Sequence, residues 1–138
     1  MAQVMERTAG AGDLVGDYDA ICAVVQLYVD GVAKGDVGKL REGFHADSWM
    51  FGSLAGTRYD EPISALFDLA ASSPADTGTY RARITSVNQT GDAAVAVVAE
   101  DGYWGSVSFV DYLLLARIEG TWKIVCKLFA HTGGEAPA

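Results

Sequence analysis

Phe109-Val110-Asp111-Tyr112-Leu113-Leu114-Leu115-Ala116-Arg117-Ile118-Glu119-Gly120-Thr121-Trp122-Lys123-Ile124-Val125-Cys126-Lys127-Leu128-Phe129 reads as two long β-strands around a tight turn at Glu119-Gly120. Both arms are rich in β-branched, aromatic and leucine residues, and the glycine stands where a two-residue hairpin needs φ > 0. Arms this long and this apolar do not stand alone in water. They need a sheet beside them and helices over one face.

The flanking sequence supplies both. Tyr80 to Gln89 alternates, with Arg81 and Arg83 on one face and Tyr80, Ala82 and Ile84 on the other. Thr90-Gly91-Asp92 is a turn, and Ala93 to Ala99 is nearly all apolar, as for a strand covered on both faces. Asp101-Gly102 signals another turn, and Tyr103 to Ile118 reads as one long strand with a bulge near Gly105. Upstream, Asp17 is a good N-cap for a helix to about Ala33, with Ile21, Val24, Val25, Tyr28 and Val32 on one face. Asp36 opens a short second helix with Leu40 and Phe44 turned inward. Phe44 to Gly52 begins as a loop and becomes a short strand, and Thr57 to Tyr59 is a small strand or bridge. Asp60, Glu61 and Pro62 open a third helix whose apolar face is Ile63, Leu66, Phe67 and Ala70. The order predicts an α+β fold: three N-terminal helices packed on a strongly curved, mostly antiparallel sheet, a cone with an open mouth.

The length of 138 residues suits one domain, and half of the residues are hydrophobic. The predicted organisation is a flexible arm over 1–16, a single domain over 17–131 and a flexible tail over 132–138. The net charge of −8 argues against nucleic acid and against an anionic membrane surface. No segment approaches the ~20 apolar residues of a membrane span, and no secretion signal is evident, which predicts a cytoplasmic location. Cys22 and Cys126 are read as free thiols that behave as small buried hydrophobes. The apolar surplus on both faces of Ala93–Ala99 and Tyr112–Val125 predicts a homodimer through the outer sheet face.

Tyr28-Val29-Asp30-Gly31, Phe44-His45-Ala46-Asp47, Gly91-Asp92-Ala93-Ala94-Val95-Ala96, Asp111-Tyr112-Leu113-Leu114-Leu115 and Gly120 to Phe129 occur in this order and at this spacing. With them the chain resembles the NTF2-like superfamily, a cone-shaped α+β fold shared with ketosteroid isomerases, scytalone dehydratase and SnoaL-like polyketide cyclases. Within it, the chain looks most like the bacterial family called putative lumazine-binding. The resemblance spans about residues 17 to 131. It implies a pocket in the cone but no single activity, because the fold hosts many. The carboxylate-and-tyrosine set of the isomerases does not map onto this chain residue by residue.

Asp111 stands among Phe109, Tyr112 and Leu113. A carboxylate in an apolar cleft is poised for general acid–base work, and pairing with Lys127 or capping the sheet is the structural alternative. In a two-residue hairpin Ile118 faces Thr121, so Asp111 lies opposite Leu128. Lys127 then points to the other face unless a bulge intervenes. His45 and Asp47 suggest either a His–carboxylate pair or a histidine that ties down its own loop. Two ligands one residue apart, with no obvious third, make a weak metal signal. Tyr28, whose hydroxyl needs a partner when buried, is a candidate donor to a ligand carbonyl. The candidate catalytic residues are therefore Asp111, His45 and Tyr28. Tyr28, Trp49, Phe67, Tyr103, Phe109, Phe129 and His131 are candidates to line the pocket. The primary expectation is binding of a small, partly apolar molecule without a cofactor or metal. The alternatives are a cofactor-independent isomerase, dehydratase or cyclase, and an interaction module with no ligand.

Overall fold

The computed structural model describes residues 13–137. Its elements are α1 (Leu14–Lys34), α2 (Val37–Gly43), β1 (Phe44–Leu54), β2 (Thr57–Pro62), α3 (Ser64–Ser72), β3 (Arg81–Thr90), β4 (Ala93–Tyr103), β5 (Val107–Ile118) and β6 (Thr121–Gly133). The six strands form one sheet in the order β2-β1-β6-β5-β4-β3. Every pairing is antiparallel except β1 with β6, which is parallel. Three helices on a curved, mostly antiparallel sheet is the α+β cone anticipated from the sequence. Among the described residues, no helix is long and apolar enough to cross a membrane.

The long helix α1 lies in the concavity against β3, β4 and β6. Its Ile21, Val25, Tyr28 and Val32 are fully buried, each aliphatic one contributing about 1.5–3 kcal/mol by leaving water. Asp36 caps α2 by accepting from Lys39 N at 3.2 Å, and Leu40 and Phe44 close the core beneath it. Both cysteines are free.

The boundaries depart from the sequence reading in five places. Helix α1 begins at Leu14 rather than after Asp17. Asp17 lies inside its first turn and is buried, because Arg117 bonds it there at 2.7 Å. Residues 1–12 of the predicted arm lie outside the described residues, and β6 runs to Gly133, into the predicted tail. Strand β1 starts at Phe44 with no loop before it, since parallel pairing to β6 satisfies its backbone. Pro62 ends β2 and does not open a helix; α3 starts only after Ile63. Lastly, β4 continues through Asp101-Gly102 to Tyr103, and the chain reverses at Trp104 to Ser106.

Two local features shape the interior. The β5–β6 turn is the expected two-residue hairpin, with Glu119 at φ 51° and Gly120 at φ 82°. Farther down the hairpin, Leu115 pairs with Ile124 but Leu114 pairs with Cys126, so Val125 is an extra residue in β6. This bulge moves the register by one. Asp111 therefore faces Phe129, and Lys127, opposite Leu113, turns inward.

Candidate active site

The inward faces of β4, β5 and β6 bring four polar side chains together under α1. Glu100, Asp111, Tyr28 and Lys127 are all buried, with Lys127 the most exposed at 6%. Tyr28 comes from the helix, Glu100 from β4, Asp111 from β5 and Lys127 from β6. Tyr28 Oη lies 2.6 Å from Asp111 Oδ2 and 3.2 Å from Glu100 Oε1. Tyr80, from the segment before β3, donates to Glu100 Oε2 at 2.6 Å. Lys127 Nζ stands 3.9 Å from Asp111 Oδ1, an oxygen with no hydrogen-bond partner.

The electrostatics follow from this packing. Burial, and then the neighbouring Asp111, push Glu100 well above the usual carboxylate range. Lys127 and the Tyr80 hydroxyl pull it the other way without cancelling that rise. Burial also raises Tyr28, Tyr80 and Tyr103, so their hydroxyls remain proton donors at any ordinary pH. Tyr28 has one proton to give, and the 2.6 Å contact directs it to Asp111. A protonated Glu100 can then donate toward the tyrosine oxygen, while Tyr80 donates to its other oxygen. The cluster is a connected proton-holding network rather than two independent acids.

This cluster meets a funnel. A narrow inner cavity of about 30 Å³ is lined by Glu100, Lys127, Tyr103, Phe109, Phe129 and Met50, among others. Leu54, Tyr59, Leu69 and Trp104 are shared with a wider outer chamber of about 640 Å³. The outer chamber is within the size range of small-molecule sites, and Thr77, Pro74 and Pro137 form part of its rim. Trp104, at φ 53°, is held there by Ala75 O, which accepts from its backbone N, and by Ser73 O, which accepts from its indole. The inner wall is an edge-to-face aromatic chain, Trp104–Tyr103–Phe109–Phe129, with centroids 4.8, 5.1 and 5.7 Å apart. Gly52 makes room for it, since a methyl at that position would stand 2.7 Å from the ring of Phe129.

The other candidates fall elsewhere. Tyr28 and Asp111 sit behind Glu100 and touch the cavity through it. His45 is at the start of β1, where Nδ1 accepts from Asp47 N of the same strand at 3.1 Å. Trp49 is on the outer face and donates to Asp60 at 2.6 Å. Phe67 packs edge-on against Phe44 at 5.9 Å and faces neither cavity. His131 accepts from Ala55 N and lies 2.9 and 2.7 Å from the carbonyls of Gly133 and Gly134, tying the end of β6 to the β1–β2 turn. Glu100 and Tyr80 were missed by the sequence reading, and Lys127 entered it only as a partner for Asp111 that depended on a bulge. Glu100 stands beside Asp101-Gly102, which reads as a turn, and Lys127 owes its direction to a bulge that no residue of Ile124–Leu128 announces.

The architecture is that of an NTF2-like α+β cone, as in solved structures of this fold. An NTF2-like protein of unknown function from Shewanella baltica OS155 is 28% identical over 88% of this chain and 98% of that one, with a TM-score of 0.79. Another, from Methylobacillus flagellatus KT, is 30% identical over 86% and 94%, with a TM-score of 0.78. The family described as "Putative lumazine-binding" matches residues 16–130, and the chain belongs to it. It is also similar to aldolase FrzH of Cladobotryum sp., 30% identical over 82% of this chain and 90% of that protein.

Proposed function

We propose that the protein holds a small, partly apolar carbonyl compound in the funnel and moves a proton at the carbon next to its carbonyl, without a cofactor. The observation that carries this reading is Glu100: a carboxyl at the cavity floor, raised by burial and by Asp111. A carboxyl whose affinity for protons is lifted well above the usual carboxylate range is suited to proton transfer. In its ionised fraction it takes the proton. Lys127 on the same wall draws electrons from the carbonyl as the proton leaves. Asp111, held by Tyr28, adds from behind to the rise that burial gives the proton affinity of Glu100. The similarity to a protein named an aldolase is in keeping with this, because aldol chemistry starts by removing such a proton.

The test is deuterium exchange of phenylacetone and related aryl ketones in D2O, followed by NMR. The wild type should accelerate exchange, and Glu100→Gln should lose about 10²–10⁴-fold of that acceleration. Ketone binding in the funnel with no acceleration in the wild type would leave a binding protein and refute the enzymatic reading.

A second copy of the chain is the proposed partner. Trp49, Phe51, Tyr112, Leu114 and Leu128 are exposed on the convex face. Strand pairing joins them: Phe51 and Tyr112 both pair with Leu128, and Trp49 and Leu114 both pair with Cys126. A contiguous apolar face of this kind on central strands suits burial against its own copy. Light scattering should give twice the chain mass, and Leu128→Glu should give monomers; a wild-type monomer would refute this.

A further inference from the structure

Lys127 is placed unlike the other three lysines, Lys34, Lys39 and Lys123. The Val125 bulge turns it into the interior, where its side chain is 8% exposed and lines the inner cavity. Its Nζ stands over the face of Phe129, 4.2 Å from the centroid. Among the described residues no acceptor lies within hydrogen-bond distance, and the nearest carboxylate oxygen is 3.9 Å away. A merely structural buried ammonium would have its three protons satisfied by acceptors. This one has an apolar ring on one side, an unpartnered carboxylate oxygen within reach of a small shift, and the cavity in front. Handing one proton to Asp111 Oδ1 would leave a neutral amine aimed at the funnel floor, the activated form of a nucleophilic lysine.

We propose that Lys127 forms an imine with an aldehyde or ketone seated in the funnel. This rests on the carbonyl-ligand reading above and deepens it. The amine nitrogen bonds to the carbonyl carbon, and one N–H proton passes to the former carbonyl oxygen to give a carbinolamine. Glu100 then protonates that hydroxyl, the C–O bond breaks and water leaves. A protonated imine remains, its positive charge opposite the newly ionised Glu100. The same ionised Glu100 is the base that removes the proton from the adjacent carbon, with the iminium as electron sink. Glu100 and Lys127 share the inner cavity of about 30 Å³, room for the carbonyl end alone, while the ligand body occupies the outer chamber.

The probe is acetylacetone, whose imine with a lysine rearranges to a stable, near-ultraviolet-absorbing enaminone. Incubation with the full-length protein, followed by peptide mapping, should give one adduct, on Lys127. Adducts on Lys34, Lys39 or Lys123 but not on Lys127 would overturn the proposal, as would no adduct. Lys127→Arg keeps the cation but not the nucleophile, so it should abolish both the chromophore and the deuterium exchange of aryl ketones. Exchange persisting in a folded Lys127→Arg protein at near the wild-type rate would refute the imine and leave the proton-transfer function standing. An adduct on Lys127 with no exchange by the wild type would uphold the imine and refute that function.

Discussion

The cone contains two pairs of acids, each facing one cation, at opposite ends of the same sheet. At the hairpin end, Arg117 donates to Asp17 at 2.7 Å and to Asp92 at 2.9 Å, and lies over the ring of Trp122 at 5.1 Å. Gln89 donates to the remaining oxygen of Asp17 at 3.0 Å. In the interior, Lys127 faces Asp111 at 3.9 Å and makes no hydrogen bond among the described residues, while Glu100 is pushed toward its neutral form. The difference lies in geometry and water. Arg117 has a rigid fork that serves two carboxylates at once, and Asp92 is largely solvated. Lys127 is a point charge behind a bulge, too far from one acid and insufficient for two. The first cluster is satisfied and clasps α1 to the sheet. The second retains unmet demand, and the cavity opens onto it.

The largest test of this contrast is stability. Asp111→Ala removes the carboxylate facing Lys127 and the acceptor of Tyr28, and should cost about 3–5 kcal/mol in urea denaturation. Asp111→Asn, which keeps an acceptor, should cost less. Arg117→Met should cost less, about 1 kcal/mol, because Asp92 is largely solvated and Asp17 keeps the hydrogen bond from Gln89, and should leave ketone exchange intact. Equal losses from Asp111→Ala and Arg117→Met would erase the distinction.

The next effect is pH dependence. Glu100 holds its proton more tightly folded than unfolded, so between its unfolded and folded pKa the native state binds the extra proton. Stability present below the unfolded value is therefore lost as pH rises through the folded one, with a slope of up to about 1.4 kcal/mol per pH unit. Glu100→Gln should flatten that slope. An unchanged slope in Glu100→Gln would place the titrating group elsewhere.

Much of the fold was written in local pattern. The periodicity of Ile21, Val25, Tyr28 and Val32, the turn at Glu119-Gly120 and the apolar strands after Tyr80 each express a rule that acts over a few residues, and the structure follows them. Even the pairing of Asp111 with Lys127 was present as a conditional, dependent on a bulge. The boundaries that moved were those where a distant partner overrode a local signal: Arg117 drew Asp17 into the helix, and β6 extended β1 back to Phe44.

The candidate site divides along the same line. Asp111 and Tyr28 are legible because a lone polar group in an apolar run must find a partner, and burial is encoded locally. Glu100 is not, because Ala99-Glu100-Asp101-Gly102 carries turn chemistry and only pairing to β3 and β5 keeps the chain extended through it. By itself the sequence determined the elements, their order and the curvature that leaves a cone. Tertiary structure alone decided which charges share the interior. A single extra residue at Val125 inverts the direction of Lys127, and four segments distant in sequence must converge before any of the acids has a neighbour.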